Sequence, residues 1–148
     1  VLNAAILGTL GPVADIDGRE FNRLLTLNVL AQQALIAAFD PLLRQSETGR
    51  VIAVTSSVGS ASRAYWGAYA ASKAALEALA IAYGQEVGNV TPIRVALVNP
   101  GPTATEMRAR AYPGEDPATL KPPSAVAEAL VEKLKRGFET GERLEVRS

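Results

Sequence analysis

The chain has 148 residues, 15 Lys and Arg balanced by 15 Asp and Glu, and neither His nor Cys. At 48% hydrophobic and 20% charged it is composed like one globular domain over residues 1–148, with a core of its own. Zero net charge speaks against nucleic acid and against a polybasic membrane contact, while the missing His and Cys exclude a Ser-His-Asp triad, a thiol nucleophile, a zinc finger and an imidazole base. Catalysis, if any, must run on Ser, Thr, Tyr, Lys, Asp or Glu, or on a cofactor, and no metal site is expected. The lack of Cys also leaves no disulfide framework, which suits a reducing, cytoplasmic location.

Val1 to Leu7 carries no basic leader and is interrupted by Asn3 and Gly8, so it reads as neither signal peptide nor membrane span. It resembles a strand entered midway. Gly8 to Asp17 reads as a loop, with Asp17 as helix N-cap. Phe21, Leu24, Leu25, Asn28, Ala31, Leu35 and Phe39 then recur at helical spacing through Glu20 to Arg44, with Pro41 expected to kink the helix or start a second segment. Val51 to Thr55 is short, β-branched and without alternation, the pattern of a strand buried on both faces of a parallel sheet. Tyr65 to Val87 is rich in Ala and Leu and free of Pro, so a second long helix is expected there.

Ile93 to Val98 reads as the next buried strand, stopped by Asn99-Pro100-Gly101. Residues 102–123 are expected to form a long binding loop with a short helix near Thr105 to Ala111. Ser124 is placed as the cap of a third helix, Ala125 to Phe138, and Leu144 to Val146 as a last short strand. Strand and helix alternate throughout, which predicts an α/β fold around a parallel sheet with right-handed crossovers. Such folds bind ligands at the carboxyl ends of their strands. Here those ends are Asn3-Ala4-Ala5, Thr55-Ser56-Ser57 and Asn99-Pro100-Gly101, all small or polar, and they point to a single site.

Tyr69 and Lys73 stand four apart on the second helix and so share one face. A phenol is a poor acid or base at neutral pH, and a neighbouring ammonium favours the phenolate, as a tuned acid/base requires. Such pairs also arise as a core-edge Tyr with a solvated Lys, but the small residues Ala68, Ala70, Ala71, Ser72, Ala74 and Ala75 leave room for a bulky group against this face. Ser56 and Ser57 are turn formers or hydrogen-bond donors to a substrate oxygen, because nothing local would make either a nucleophile. Asn28, a polar amide in an apolar run, needs partners, whether from neighbouring backbone or at a site. Thr105 follows the Pro-Gly turn and is either an ordinary loop residue or a ligand contact. Gly8-Thr9-Leu10-Gly11 lacks the strand-turn-helix setting of a phosphate loop. Asn89-Val90-Thr91, followed by Pro92, reads as a chance sequon.

Together these residues resemble the short-chain dehydrogenase/reductase family. The resemblance rests on Tyr69-Ala70-Ala71-Ser72-Lys73 for the family's Tyr-x-x-x-Lys and on Asn3-Ala4-Ala5 for its Asn-Ala-Gly strand end. Asn28 in Leu27-Asn28-Val29, the turn Thr55 to Gly59, and Pro100-Gly101-Pro102-Thr103-Ala104-Thr105 for its Pro-Gly-x-x-x-Thr complete the set in family order. It implies a Rossmann-type doubly wound parallel sheet, NAD or NADP as cofactor, and hydride transfer to or from a small-molecule carbonyl or alcohol. Tyr69 would be the general acid/base. Lys73 would lower its pKa and hold the nicotinamide ribose, and Asn28 would fix a water between Lys73 and solvent.

Ser56 lies three before Gly59 and thirteen before Tyr69, the family spacing of the catalytic serine, with Ser57 as runner-up. Asn3, Ala4 and Ala5 would lie near the adenosine ribose, and Pro100, Gly101, Thr103 and Thr105 near the carboxamide or phosphates. Residues 102–123 would form a substrate lid, with Tyr65, Met107 and Tyr112 as pocket residues. The resemblance further implies a homodimer or homotetramer. It also implies that the chain starts at the family's fourth strand, so that the Gly-rich βαβ units are absent and the sheet is partial. A truncated or degenerate non-catalytic fragment serving as an oligomerisation or binding module is the alternative, and lyase or epimerase chemistry on the same fold is a third reading.

Overall fold

The computed structural model describes residues 1–146. A helix opens at Gly18, where the Asp17 carboxylate accepts hydrogen bonds from the Arg19 and Glu20 amides, as expected of an N-cap. It runs as α1 (Gly18–Leu25), widens into one π turn (Thr26–Leu30) and continues as α2 (Ala31–Arg44). Pro41 lies inside α2 and neither ends it nor starts a second segment. The turn before it, at Ala37, is exposed, so water can satisfy the carbonyl that the proline leaves unpaired.

Strand β1 (Arg50–Val54) pairs in parallel with β2 (Arg94–Asn99), and β2 with β3 (Arg143–Glu145). On the other side of β1 the expected N-terminal strand contracts to one parallel bridge, Leu2 to Ala53, held by Leu2 N–H to Ile52 O at 2.8 Å and Val54 N–H to Leu2 O at 2.9 Å. The crossover from β1 to β2 contains α3 (Ser57–Ser60) and the long α4 (Gly67–Gly88). That from β2 to β3 contains α5 (Glu106–Ala111), a 3₁₀ turn (Pro117–Thr119) and α6 (Pro123–Arg136). Ser124 is not the cap of α6: the helix starts one residue earlier, on Pro123, with Pro122 in the cap position. Proline suits the first helical position because its fixed φ is helical and its missing N–H would have had no partner there.

Successive strand residues face opposite layers. Val51, Ala53, Val95 and Leu97 pack with Leu76, Ala80, Tyr83 and Val87 of α4, while Ile52, Ala96 and Val98 pack with Phe138 and, from α6, Leu130. This two-sided burial explains the unalternating apolar runs and makes the sheet doubly wound. The 102–123 excursion is clasped at its base, where Thr103 bridges to Lys121 and Ala104 N–H reaches Lys121 O at 2.9 Å.

Candidate active site

The carboxyl ends of the Leu2 segment, β1 and β2 lie side by side, and the residues singled out in the sequence gather along that edge. Asn28 lies in the π turn and faces inward. Asn28 is 0% exposed, accepts from the Ile6 N–H at 2.8 Å, and donates to the Ile6 carbonyl at 2.9 Å and to Ser72 Oγ at 3.0 Å. Its side chain is therefore committed to backbone and to α4. Gln32, one turn on and equally buried, donates to the Ala4 carbonyl at 2.9 Å and to the Leu27 carbonyl at 3.2 Å. Two amides four residues apart thus stitch the helix to the strand end after Leu2. Only Asn28 stood out in the sequence, because Gln32 lies next to Gln33 and reads as ordinary helix surface. Asn3 and Ala4 themselves are exposed and Ala5 is half-buried.

Tyr69 and Lys73 are both buried on α4. Lys73 is 2% exposed, and its Nζ donates to the Val54 carbonyl at 2.9 Å, 5.7 Å from the centre of the Tyr69 ring. Burial pulls this ammonium down to about 8, with the Glu77 carboxylate acting in the opposite sense. Burial pushes the Tyr69 phenol up to about 12. Burial is the cause of that rise, and it favours the protonated phenol.

Ser56 follows β1 by two residues in extended backbone, half-buried, and its hydroxyl has no hydrogen-bond partner among the described residues. Ser57 is exposed and is the first residue of α3. Between the two, Ser56 has the more sheltered hydroxyl. Val58 of α3 packs against Tyr69, which keeps the serine turn against α4.

At the end of β2, Gly101 adopts φ +66°, and its amide donates to Asn99 Oδ1 at 3.1 Å. A side chain there would be strained and would meet Lys121 Nζ at 3.1 Å. Thr103 is buried with its hydroxyl on the Gly101 carbonyl at 3.1 Å. Thr105 caps α5, accepting from the Arg108 amide at 3.1 Å, so its side chain already has a structural task.

Above Tyr69 lies an apolar cluster of Leu7, Leu10, Val58, Trp66, Met107 and Ala111, with Met107 Sδ 3.9 Å from the phenol oxygen. Tyr112 meets the Trp66 ring at 5.8 Å, takes a hydrogen bond from Arg63 at 2.9 Å and carries the Arg108 guanidinium 3.8 Å above its ring. Arg108 is itself neutralised by two 2.6 Å hydrogen bonds to Glu115. Of the three expected pocket residues, Met107 and Tyr112 are in this group. Tyr65 is 63% exposed with φ +71° and stands outside the cluster, whereas Trp66 lies edge-on to Tyr69 at 6.1 Å. Two further features matter. Glu77, one turn beyond Lys73, is buried and was not singled out in the sequence. Among the described residues no cluster of three or more acidic, His or Cys side chains could hold a metal ion, and no helix is long and apolar enough to cross a membrane.

Comparison with known proteins identifies the family. A family model described as short chain dehydrogenase matches residues 1–116. The Escherichia coli K12 uncharacterized oxidoreductase YciK is 40% identical over 124 residues, covering 84% of this chain and 48% of YciK. A short chain dehydrogenase from Salmonella enterica serovar Typhi superposes with a TM-score of 0.93 at 36% identity, covering 99% of this chain and 60% of that one. A short chain dehydrogenase from E. coli CFT073, solved as a complex with NADPH, superposes with a TM-score of 0.89 at 35% identity, covering 99% of this chain and 61% of that one. The chain belongs to the short-chain dehydrogenase family, an oxidoreductase family, and has its Rossmann-type sheet in part. It spans about half the length of the curated relatives it matches.

Proposed function

We propose that this chain carries the catalytic portion of an NAD(P)-dependent oxidoreductase that interconverts a small carbonyl compound and its alcohol. The observation that carries the reading is the buried Tyr69–Lys73 pair, against which the turn after Ser56 packs through Val58. The donor set fits a dinucleotide. The Lys73 ammonium has three N–H donors and uses one on Val54 O, leaving two for the vicinal hydroxyls of the nicotinamide ribose. The exposed Asn3 and Ala4, with Ala5, would border the adenosine ribose, and the Pro100-Gly101 turn with Thr103 and Thr105 the nicotinamide side. NADP(H) is the favoured form, since the E. coli CFT073 relative was solved with NADPH and a Shigella flexneri relative with NADP.

Bound, the nicotinamide would supply or take up the hydride. The chain's own share is the proton. In the reductive direction the Tyr69 hydroxyl gives its proton to the carbonyl oxygen, and in the oxidative direction the phenolate takes it back. Ser56 donates a hydrogen bond to the same oxygen and steadies its developing charge. Lys73 stabilises the phenolate left behind, and Asn28, whose two amide N–H donors are spent on Ile6 and Ser72, would hold the water through which Lys73 recovers a proton only as an acceptor. The Met107–Trp66–Tyr112 side of the site would receive the substrate's organic portion, with residues 102–123 as the lid. A cytoplasmic, homo-oligomeric enzyme is the setting this reading implies.

The alternative, a non-catalytic binding module, is disfavoured by the buried ammonium of Lys73, whose desolvation brings no structural benefit. The test is Tyr69→Phe in the full-length protein. Reduction of simple aldehydes and ketones should fall by about 10²–10⁴-fold, while NADPH binding, read by fluorescence titration, stays within a few-fold. Full turnover by the Phe variant would refute the assignment.

A further inference from the structure

The Tyr69–Lys73 row on α4 continues one turn further to Glu77, a carboxylate that is only 5% exposed. A buried carboxylate needs partners, and Glu77 draws them from two strands. The Thr55 hydroxyl, at the end of β1 and next to Ser56, donates to one carboxylate oxygen. The Arg143 guanidinium, from β3, meets the other at 2.8 Å. Gly59 of α3 closes the arrangement, because a Cβ at that position would lie 2.8 Å from Glu77 Oε1, 3.1 Å from Lys73 Cβ and 3.1 Å from Thr55 Oγ1. Carboxylate, lysine stem, threonine hydroxyl and serine turn therefore share one small volume that only a glycine fits.

We propose that Glu77 is a positioning residue of the active site, which anchors the Thr55–Ser56 strand end and serves as the counter-charge that keeps Lys73 an ammonium. The proposal rests on the reading of Tyr69 and Lys73 as the proton-handling pair. Thr55 is fixed twice, by its N–H on the Val98 carbonyl at 2.8 Å and by its hydroxyl on Glu77, so the Ser56 that follows has a defined origin. Lys73 otherwise has a carbonyl for a partner and no ion pair among the described residues. The titratable and charged groups packed around it are Tyr69 and Glu77 from α4 and, through Glu77, Arg143 from β3, while β1 and α3 contribute only neutral groups. The half-exposed Arg143 tempers the charge that Glu77 presents to Lys73.

Two variants of the full-length protein push this device in opposite directions. Glu77→Gln keeps the shape and an acceptor for Thr55 but removes the charge, so Lys73 loses its proton more readily. The alkaline limb of the kcat–pH profile should move down by about one pH unit, and kcat at neutral pH should fall with KM for the cofactor little changed. Arg143→Met leaves the Glu77 charge unopposed, and the same limb should move up. Opposite shifts support the proposal, and a merely structural role would lower stability without moving the limb. If Glu77→Gln does not fold, the Arg143→Met shift decides alone, since that side chain is half exposed. An unmoved limb in the folded variants, with Tyr69→Phe inactive, overturns the role of Glu77 and leaves the Tyr69 assignment standing. A fully active Tyr69→Phe overturns both.

Discussion

The Asn28 amide bonds both backbone groups of Ile6, accepting from its N–H at 2.8 Å and donating to its carbonyl at 2.9 Å, across 22 residues of sequence. A side chain thus does for Ile6 what a neighbouring strand would do, in the stretch just past the single Leu2–Ala53 bridge. Asn28 sits within the π turn, a local widening of the helix that is frequent at functional sites. Asn28→Ala would leave the part-buried Ile6 backbone groups without this partner, at a cost of about 1–3 kcal/mol. Urea unfolding should read that loss, and activity should fall along with it. A change under about 0.5 kcal/mol would mean that water replaces the amide freely.

The two serines after β1 should separate cleanly. Ser56 is half-buried, whereas Ser57 is exposed on α3. Ser56→Ala is expected to lower kcat by about 10²–10³-fold, the usual cost of one donor to a developing oxyanion. Ser57→Ala should remain within about threefold, as surface changes generally do. The reverse ranking would move the donor role to Ser57.

Gly59 predicts a steric rather than a conformational penalty, because its backbone is helical and only the space is lacking. Gly59→Ala should destabilise by about 1–3 kcal/mol through overpacking. Glu77→Ser removes the carboxylate that crowds the new methyl, so the double variant should lose less than the sum of the singles. Strict additivity in thermal melts would show that Gly59 and Glu77 are not in contact.

What the sequence made legible, and what it did not, follows from the range of the forces involved. Val51–Val54 and Arg94–Asn99 declare themselves because two-sided burial needs an unbroken apolar run, and Tyr69 and Lys73 because helical spacing is local. Glu77 was hidden. A Glu four residues after a Lys reads as a solvated helix pair, and only Thr55 and Arg143, arriving from two strands, make it a buried group. The exposure of Tyr65 was equally hidden, because its positive φ is not legible in the sequence. The prolines at 122 and 123 displaced the Ser124 cap by a turn geometry that needs no side-chain oxygen.

The ionisable groups of α4 give the protein a stability profile whose sign can be worked out. Lys73 titrates near 8 when folded, lowered by burial, and near 10.5 when unfolded. Below pH 8 both states hold the proton and the cost of burying the charge is felt in full. Between pH 8 and 10.5 the unfolded chain keeps the proton that the folded one has released, so stability rises with pH. Tyr69 and Tyr83 act in the other sense: both are pushed up to about 12, by burial first and for Tyr83 also by its hydrogen bond to Asp40. Above pH 10 the unfolded chain loses phenolic protons that the folded one retains, and stability falls. These groups together place a maximum near pH 10. Lys73→Met should remove the rising limb alone, so that wild type gains about 2–3 kcal/mol over the variant between pH 8 and pH 10. Urea melts at unit pH steps measure this, and the slope matters rather than the offset, because the variant also leaves the Val54 carbonyl without its lysine. Parallel curves for the two proteins would mean that Lys73 already titrates at its ordinary value in the folded state.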